Sequence, residues 1–227
     1  METISVSTTQ DLFKTFTSLK GYVFRGVSDA GYRLLPKIGR YLPEVPMELE
    51  KVSLEKFKLF SLPHLNHKPK NDWDWLALSQ HHGLATRLLD WTYNPFVATY
   101  FAVERDFRLD AAIYAFPTTW GERLSIEKEP DPFAINVVRF FHPPHISTRI
   151  TAQAGLFTVH PNPSRPFEHG IIKKVVLSKE IKLPIKDMLD GFGIHRFSIF
   201  PDMDGLSQYL NYFHERYDLL FKDPEAI

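Results

Sequence analysis

Trp75-Leu76-Ala77-Leu78-Ser79-Gln80-His81-His82-Gly83-Leu84-Ala85-Thr86-Arg87-Leu88-Leu89-Asp90-Trp91-Thr92 is the densest run of informative residues in the chain. Its first half reads as a helix that begins near Asp72, with Trp73, Leu76, Ala77 and Gln80 on one face. Gly83 suits the C′ position that closes such a helix, because glycine enters the left-handed region without a Cβ clash. The second half, Thr86 to Trp91, reads as a short buried strand. Period two sets Thr86, Leu88, Asp90 and Thr92 on one face and Arg87, Leu89 and Trp91 on the other. As a buried carboxylate Asp90 needs a partner, and Arg25 and Arg87 are the candidates. Asn94-Pro95 then supplies an N-cap followed by proline at the first helical position, which starts a helix over Phe96 to Val103.

Upstream, Leu12, Phe13, Phe16 and Leu19 fall near helical spacing from Thr9 onward, and Gly21 stops that helix. Tyr22 to Val27 reads as a strand of β-branched and aromatic residues. Met47 to Phe60 reads as a helix and Pro63 to Pro69 as a loop. Downstream, Ala111 to Phe116, Ile135 to Phe140, Leu156 to His160, Ile171 to Leu177 and Ile194 to Phe200 read as strands. The charged insertion Thr118 to Pro132 separates the first two. A short helix over Pro184 to Leu189 ends at Gly191 or Gly193, and a last helix runs from Asp204 to Leu220. No break in composition marks a boundary. The expected architecture is therefore one irregular α+β domain over residues 1–227, a mixed or antiparallel sheet flanked by helices.

Composition narrows the function classes. With 227 residues, 44% hydrophobic and 24% charged, the chain can bury a core and is not of disordered type. Twenty-seven basic residues balance 27 acidic ones, which argues against a chain-wide electrostatic grip on nucleic acid. The absence of cysteine removes disulfides, thiolate zinc sites and thiol nucleophiles. The start METISVSTTQ lacks a basic segment followed by an apolar run, and no apolar stretch of about 18 residues exists. No membrane association is expected, and the expected location is cytoplasmic. Trp73, Trp75 and Trp91 read as core rather than as stacking plates.

Several of these segments resemble the FRG-domain family, named for its Phe-Arg-Gly tripeptide. The resemblance is carried by Phe24-Arg25-Gly26, Leu35-Pro36, the block from Trp75 to Thr92, and Ala152-Gln153 with Gly155 and Phe157. It implies a core from about residue 22 to residue 202. A more distant resemblance is to the arginine-containing class of mono-ADP-ribosyltransferases. It rests on Arg25-Gly26 on an early strand, on Asp90-Trp91-Thr92, and on the Val97-Ala98-Thr99-Tyr100-Phe101-Ala102 helix. That resemblance implies a cleft that takes NAD as substrate and needs no metal. The family's catalytic positions then fall on Arg25, Thr92 and Gln153, with His81 as a base or second orienting group. Its cofactor-binding positions fall on Arg25, Gly26, Thr86, Arg87, Asp90 and Thr92. The sequence departs from the pattern at two places. Asp90-Trp91-Thr92 stands where many such enzymes have Ser-Thr-Ser, and Gln153 stands where the catalytic glutamate usually sits. The resemblance further implies a protein or nucleic-acid acceptor, an antitoxin or other partner protein, and a bacterial toxin or phage-defence setting.

The residues themselves leave alternatives open. Arg25 precedes a glycine, so its guanidinium suits a phosphate or ribose oxygen, and it equally suits a structural bridge to Asp90. His81 and His82 point about 100° apart on a helix and cannot easily share a metal. Gln153 can hold a hydroxyl but supplies no negative charge to a developing oxocarbenium ion. Two readings follow: a nucleotide-pocket enzyme, and a non-catalytic module that binds a nucleotide or a partner protein. A metal-dependent phosphoryl-transfer enzyme is the weaker third, since no convincing carboxylate cluster is present.

Overall fold

Near-continuous runs of apolar, buried residues in Tyr22–Val27, Leu88–Thr92 and Ala111–Pro117 build the centre of the molecule. The computed structural model describes residues 1–41, 44–65, 68–121, 123–143 and 153–222, the last eight of these by their backbone. Seven strands form one sheet: β1 (Glu2–Val6), β2 (Tyr22–Val27), β3 (Leu88–Thr92), β4 (Ala111–Pro117), β5 (Arg139–Phe141), β6 (Gly155–Val159) and β7 (Lys173–Leu177). Their order is β1-β7-β4-β2-β3-β6-β5. The β1–β7 pair is parallel and the others antiparallel, so the sheet is mixed.

Among the described residues the helices are α1 (Thr9–Ser18), α2 (Met47–Ser61), α3 (Asp72–His81), α4 (Pro95–Val103), α5 (Lys182–Gly191), α6 (Arg196–Ile199) and α7 (Met203–Lys222). Period two sorts the core into a helix-covered face and a loop-covered face. On the helix side, Phe24, Ile113 and Val175 pack with Leu12, Phe16, Ala98 and Leu189 from α1, α4 and α5. Further along the same face, Leu88, Phe157 and Val159 pack with Leu54, Trp73 and Leu76 from α2 and α3. The opposite face is aromatic, with Trp91, Phe116, Phe140 and Phe167 in contact. Trp73, Trp75 and Trp91 are all buried.

Local signals act as the sequence suggests at α3 and α4. Asn71 Oδ1 accepts from the Asp74 amide, and Gly83 takes φ +91 with the Leu84 amide bonded back to the Ser79 carbonyl. Asn94 Oδ1 accepts from the Phe96 amide ahead of α4.

Four expectations need correction. Ile194 to Phe200 is not a strand; it contains α6, because His195 accepts from the Ser198 amide while Ser198 Oγ accepts from the His195 amide. That reciprocal cap nucleates a turn of helix despite the apolar, β-favouring composition. The strand expected over Ile135 to Phe140 is confined to Arg139–Phe141, since Phe133 and Ile135 turn into the α2–α3 core. Asp90 is not buried: its side chain is 54% exposed. Strand β1 was not expected at all. Among the described residues, no helix is long and apolar enough to cross a membrane.

Candidate functional site

The sheet nearly parts in its middle. Strands β2 and β3 share a single register pair, Phe24 with Thr92, whereas β2–β4 and β3–β6 pair along their lengths. Continued pairing would set Gly26 opposite Asp90; instead the strands diverge. Above the opening, on the helix-covered face, α3 and α4 stand apart. The result is a cleft of about 320 Å³, inside the range of small-molecule sites. Phe24, Arg25 and Gly26 from β2 line it, with Asp90, Trp91 and Thr92 from β3. Gln80 and His81 of α3, Val97, Ala98 and Phe101 of α4, and Gln153, Gly155, Leu156, Phe157 and Phe200 complete the wall.

Arg25 closes the gap between the strands. Strand alternation puts it with Val23 and Val27 toward the loop-covered face, and its Nη1 meets Asp90 across the opening. That nitrogen donates to the Asp90 carbonyl at 3.0 Å and to Oδ2 at 3.1 Å. The carbonyl would otherwise face the missing strand partner, so the guanidinium substitutes for a ladder hydrogen bond. The other carboxylate oxygen, Oδ1, accepts from Gln80 Nε2 at 3.0 Å. Thr86 Oγ1 donates to Gln80 Oε1 at 2.7 Å and so fixes which end of the amide faces Asp90. The carboxylate is thus held at both oxygens while more than half of it remains open to the cleft.

Gly26 has a different reason to be glycine. A Cβ there would lie 1.8 Å from the Ala98 carbonyl oxygen and 2.8 Å from the Ala102 amide nitrogen. The close approach is therefore made by helix α4. Thr92 Oγ1 donates to the Gln153 carbonyl at 2.6 Å and accepts from the Asn94 amide at 3.0 Å. This hydroxyl ties the end of β3 to the segment before β6. Gln153 Nε2 donates to the Ile199 carbonyl at 3.3 Å, which anchors that side chain on α6. Thr151 and Ala152, which precede it in the expected motif, lie outside the described residues.

Of the residues singled out from the sequence, Arg25, Gly26, His81, Asp90, Thr92 and Gln153 converge on this cleft. Thr86 and Arg87 do not line it. Thr86 acts at one remove through Gln80. Arg87 turns away and is enclosed by α2: its Nε and Nη2 both lie 2.9 Å from Glu50 Oε2, and its amide donates to Glu50 Oε1 at 2.7 Å. Both side chains are almost fully buried, and the guanidinium lies over the Phe133 ring at 4.7 Å. His81 sits at the rim with its ring edge-on to His82 at 4.9 Å.

Two participants escaped the sequence reading. Gln80 carried a signal, since it shares the last turn of α3 with His81. Arg40, in a short 3-10 turn over Ile38–Arg40, stands near Arg25 and Asp90, with Nε and Nη2 bonded to the Leu35 carbonyl. Its pKa is lowered, first by loss of surrounding water and then by the Arg25 charge, while Asp90 offsets part of this. Arg40 does not itself line the cleft, but its charge adds to that of Arg25 against the one carboxylate of Asp90, which favours an anionic ligand. Among the described residues, no group of three His, Asp or Glu side chains is placed to hold a metal ion.

Behind the cleft lies a fully buried polar chain. Trp91 Nε1 donates to Thr158 Oγ1 at 2.9 Å, and Thr158 Oγ1 is 2.9 Å from His160 Nε2. Burial, reinforced by Arg25 and Arg87, pulls the His160 pKa down to about 3, so the imidazole is neutral at physiological pH.

Residues 20–111 match the model of the FRG domain. Over that stretch the chain is similar to the FRG domain. The matched stretch holds β2, α2, α3, β3 and α4, and with them Arg25, Gly26, His81 and Asp90. The resemblance drawn from the sequence runs on to Asp202; the match stops at residue 111, so Gln153 stands in the site on geometry. No curated protein and no solved structure matches the chain.

Proposed function

We propose that this protein is a nucleotide-pocket enzyme that takes NAD as substrate, in the manner of an ADP-ribosyltransferase or an NAD glycohydrolase. The observation that supports the reading is the convergence of Arg25, Asp90, Thr92, Gln153 and His81 on one cleft. Sequence motifs more than 60 residues apart come together there. Arg25 and Arg40 supply the positive end for a pyrophosphate. The open face of the Asp90 carboxylate accepts from ribose hydroxyls, and Gln153 Oε1 offers a further acceptor. The apolar wall of Phe101, Phe157 and Phe200 suits the flat nicotinamide ring. Cleavage breaks the bond between ribose C1′ and the ring nitrogen, with both electrons leaving on neutral nicotinamide. The oxocarbenium ion that remains is captured by an acceptor protein, a nucleic acid or water, which loses a proton. Positioning and charge supply most of such a step. A toxin or phage-defence role would follow from depletion of NAD or modification of a target.

The glutamine at position 153 favours a second reading, a binding module of the same fold with little turnover. Its amide nitrogen is committed to the Ile199 carbonyl, and no carboxylate other than Asp90 lines the cleft among the described residues. One experiment separates the two: titration with NAD by calorimetry, followed by nicotinamide release for wild type, Gln153→Glu and Gln153→Ala. The enzyme reading expects binding, slow release by wild type, faster release by Gln153→Glu and slower by Gln153→Ala. Binding without release in any of the three supports the module. No binding at millimolar NAD removes the dinucleotide altogether.

A further inference from the structure

Helix α2 has one face that the rest of the protein leaves open. Glu50 and Leu54 are buried on its inner side, whereas Leu49, Val52, Leu59 and Phe60 are exposed, the last two at 63% and 69%. At about 100° per residue these four and Lys56 fall on one outward stripe roughly three turns long. A shallow groove of about 540 Å³ runs beside the stripe, with Phe57, Phe60 and Leu84 as its apolar lining and Lys56 and His64 at its edge. Monomeric proteins seldom leave a stripe of this kind in water without a use for it.

Charge identifies what fits. The groove's lining has basic side chains and no acidic one among the described residues. The nearby acids of α2 are engaged elsewhere: Glu48 with Lys51, Glu55 with Lys58, and Glu50 with Arg87. Lys56 sits mid-stripe. A second copy docked on this face would bring another Lys56, and the exposed acids it brings, Glu48 and Glu55, are already paired with lysines of their own helix. A partner that brings carboxylates to the centre of the contact meets no such penalty. We propose that this groove docks an acidic amphipathic helix of a partner protein, with its apolar residues on Leu49, Val52 and Phe60 and its carboxylates at Lys56. The surface is independent of the nucleotide cleft.

The test uses two labelled, side-chain-crosslinked helical peptides with leucines at helical spacing, one flanked by glutamates and the other by lysines. Fluorescence anisotropy should show the glutamate peptide binding wild type at least about tenfold more tightly than the lysine peptide. Lys56→Glu should invert that preference. Phe60→Ser should abolish binding of both and leave the melting temperature in place, because the ring is already in water. Equal affinities for the two peptides, or no binding of either, overturns the proposal. A dimer in sedimentation that Phe60→Ser dissociates also overturns it, and gives the face to a second copy.

Discussion

Two arginines of this chain pair with carboxylates, and their surroundings differ in almost every respect. Arg87 and Glu50 are 1% and 2% exposed, meet at two nitrogens, and have an aromatic ring beside them. Arg25 and Asp90 are 16% and 54% exposed and meet through one guanidinium nitrogen. The first pair joins the residue just before β3 to α2, and both side chains are closed off from solvent. The second sits where two strands diverge, with one partner facing a cleft. A buried pair is costly to break because the surviving charge stays desolvated; a half-exposed pair is not, because water takes over. The pair that contributes least to stability is thus the one free to meet a ligand.

The sharpest way to break this comparison is to truncate each acid. Glu50→Ala leaves a buried guanidinium alone and should destabilise the protein by ~3–5 kcal/mol in urea denaturation. Substituting both members, Glu50→Leu with Arg87→Met, should restore most of that loss. A double variant as unstable as the single would mean that the pair does more than neutralise itself.

His160 tests the same contrast through pH, since it lies behind the cleft and feels both arginines. Its folded pKa is depressed to about 3, whereas an unfolded histidine titrates near 6.5. Above 6.5 neither state binds the proton, so the residue contributes nothing to the pH dependence. As pH falls below 6.5 the unfolded chain gains a proton that the folded one refuses, and stability declines toward pH 3. The slope from this residue should approach ~1.4 kcal/mol per pH unit. His160→Gln should flatten the wild-type curve between pH 6 and 4 by about that amount, read from denaturation midpoints at fixed salt. An unchanged slope would mean that the imidazole reaches water.

Much of this was legible in the sequence. The helix that ends at Gly83 and the strand that carries Asp90 follow from local patterns, whereas the charge argument left both Arg25 and Arg87 as candidates for Asp90 and took that carboxylate to be buried. The features that were not legible depend on distant partners. Glu50 lies in the first turn of a helix whose neighbouring acids are solvated, and only the docking of β3 on α2 buries it. Strand β1 pairs in parallel with β7, Glu2 opposite Lys173, across almost the whole chain. Five residues at an N-terminus carry no trace of that pairing. The turn at α6 was lost to composition, because aromatic and β-branched residues hid the His195–Ser198 cap. Gly26 was assigned to the cofactor through the resemblance, yet what approaches it is the α4 backbone, which no local pattern announces.

The smallest expected change in stability carries the most information about function. Arg25→Ala removes a hydrogen bond and an ion pair whose carboxylate is more than half exposed, so the denaturation midpoint should move by no more than ~1 kcal/mol. Asp90 keeps its hold from Gln80, and the single β2–β3 pair at Phe24 and Thr92 is untouched. The cleft, however, loses one of the two guanidinium groups that outweigh its carboxylate, and with it the excess positive charge. NAD binding by calorimetry should therefore fall by at least about tenfold, a loss of ~1.4 kcal/mol, while Asp90→Asn should weaken it less because the positive balance then grows. Arg25→Lys should recover the fold's small loss but only part of the affinity, since an ammonium lacks the planar fork that engages two oxygens. If Arg25→Ala instead unfolds the protein as Glu50→Ala is expected to, the contrast between the two pairs collapses. Arg25 would then be a strand-bridging residue first, and the anion it was assigned to hold would need another partner.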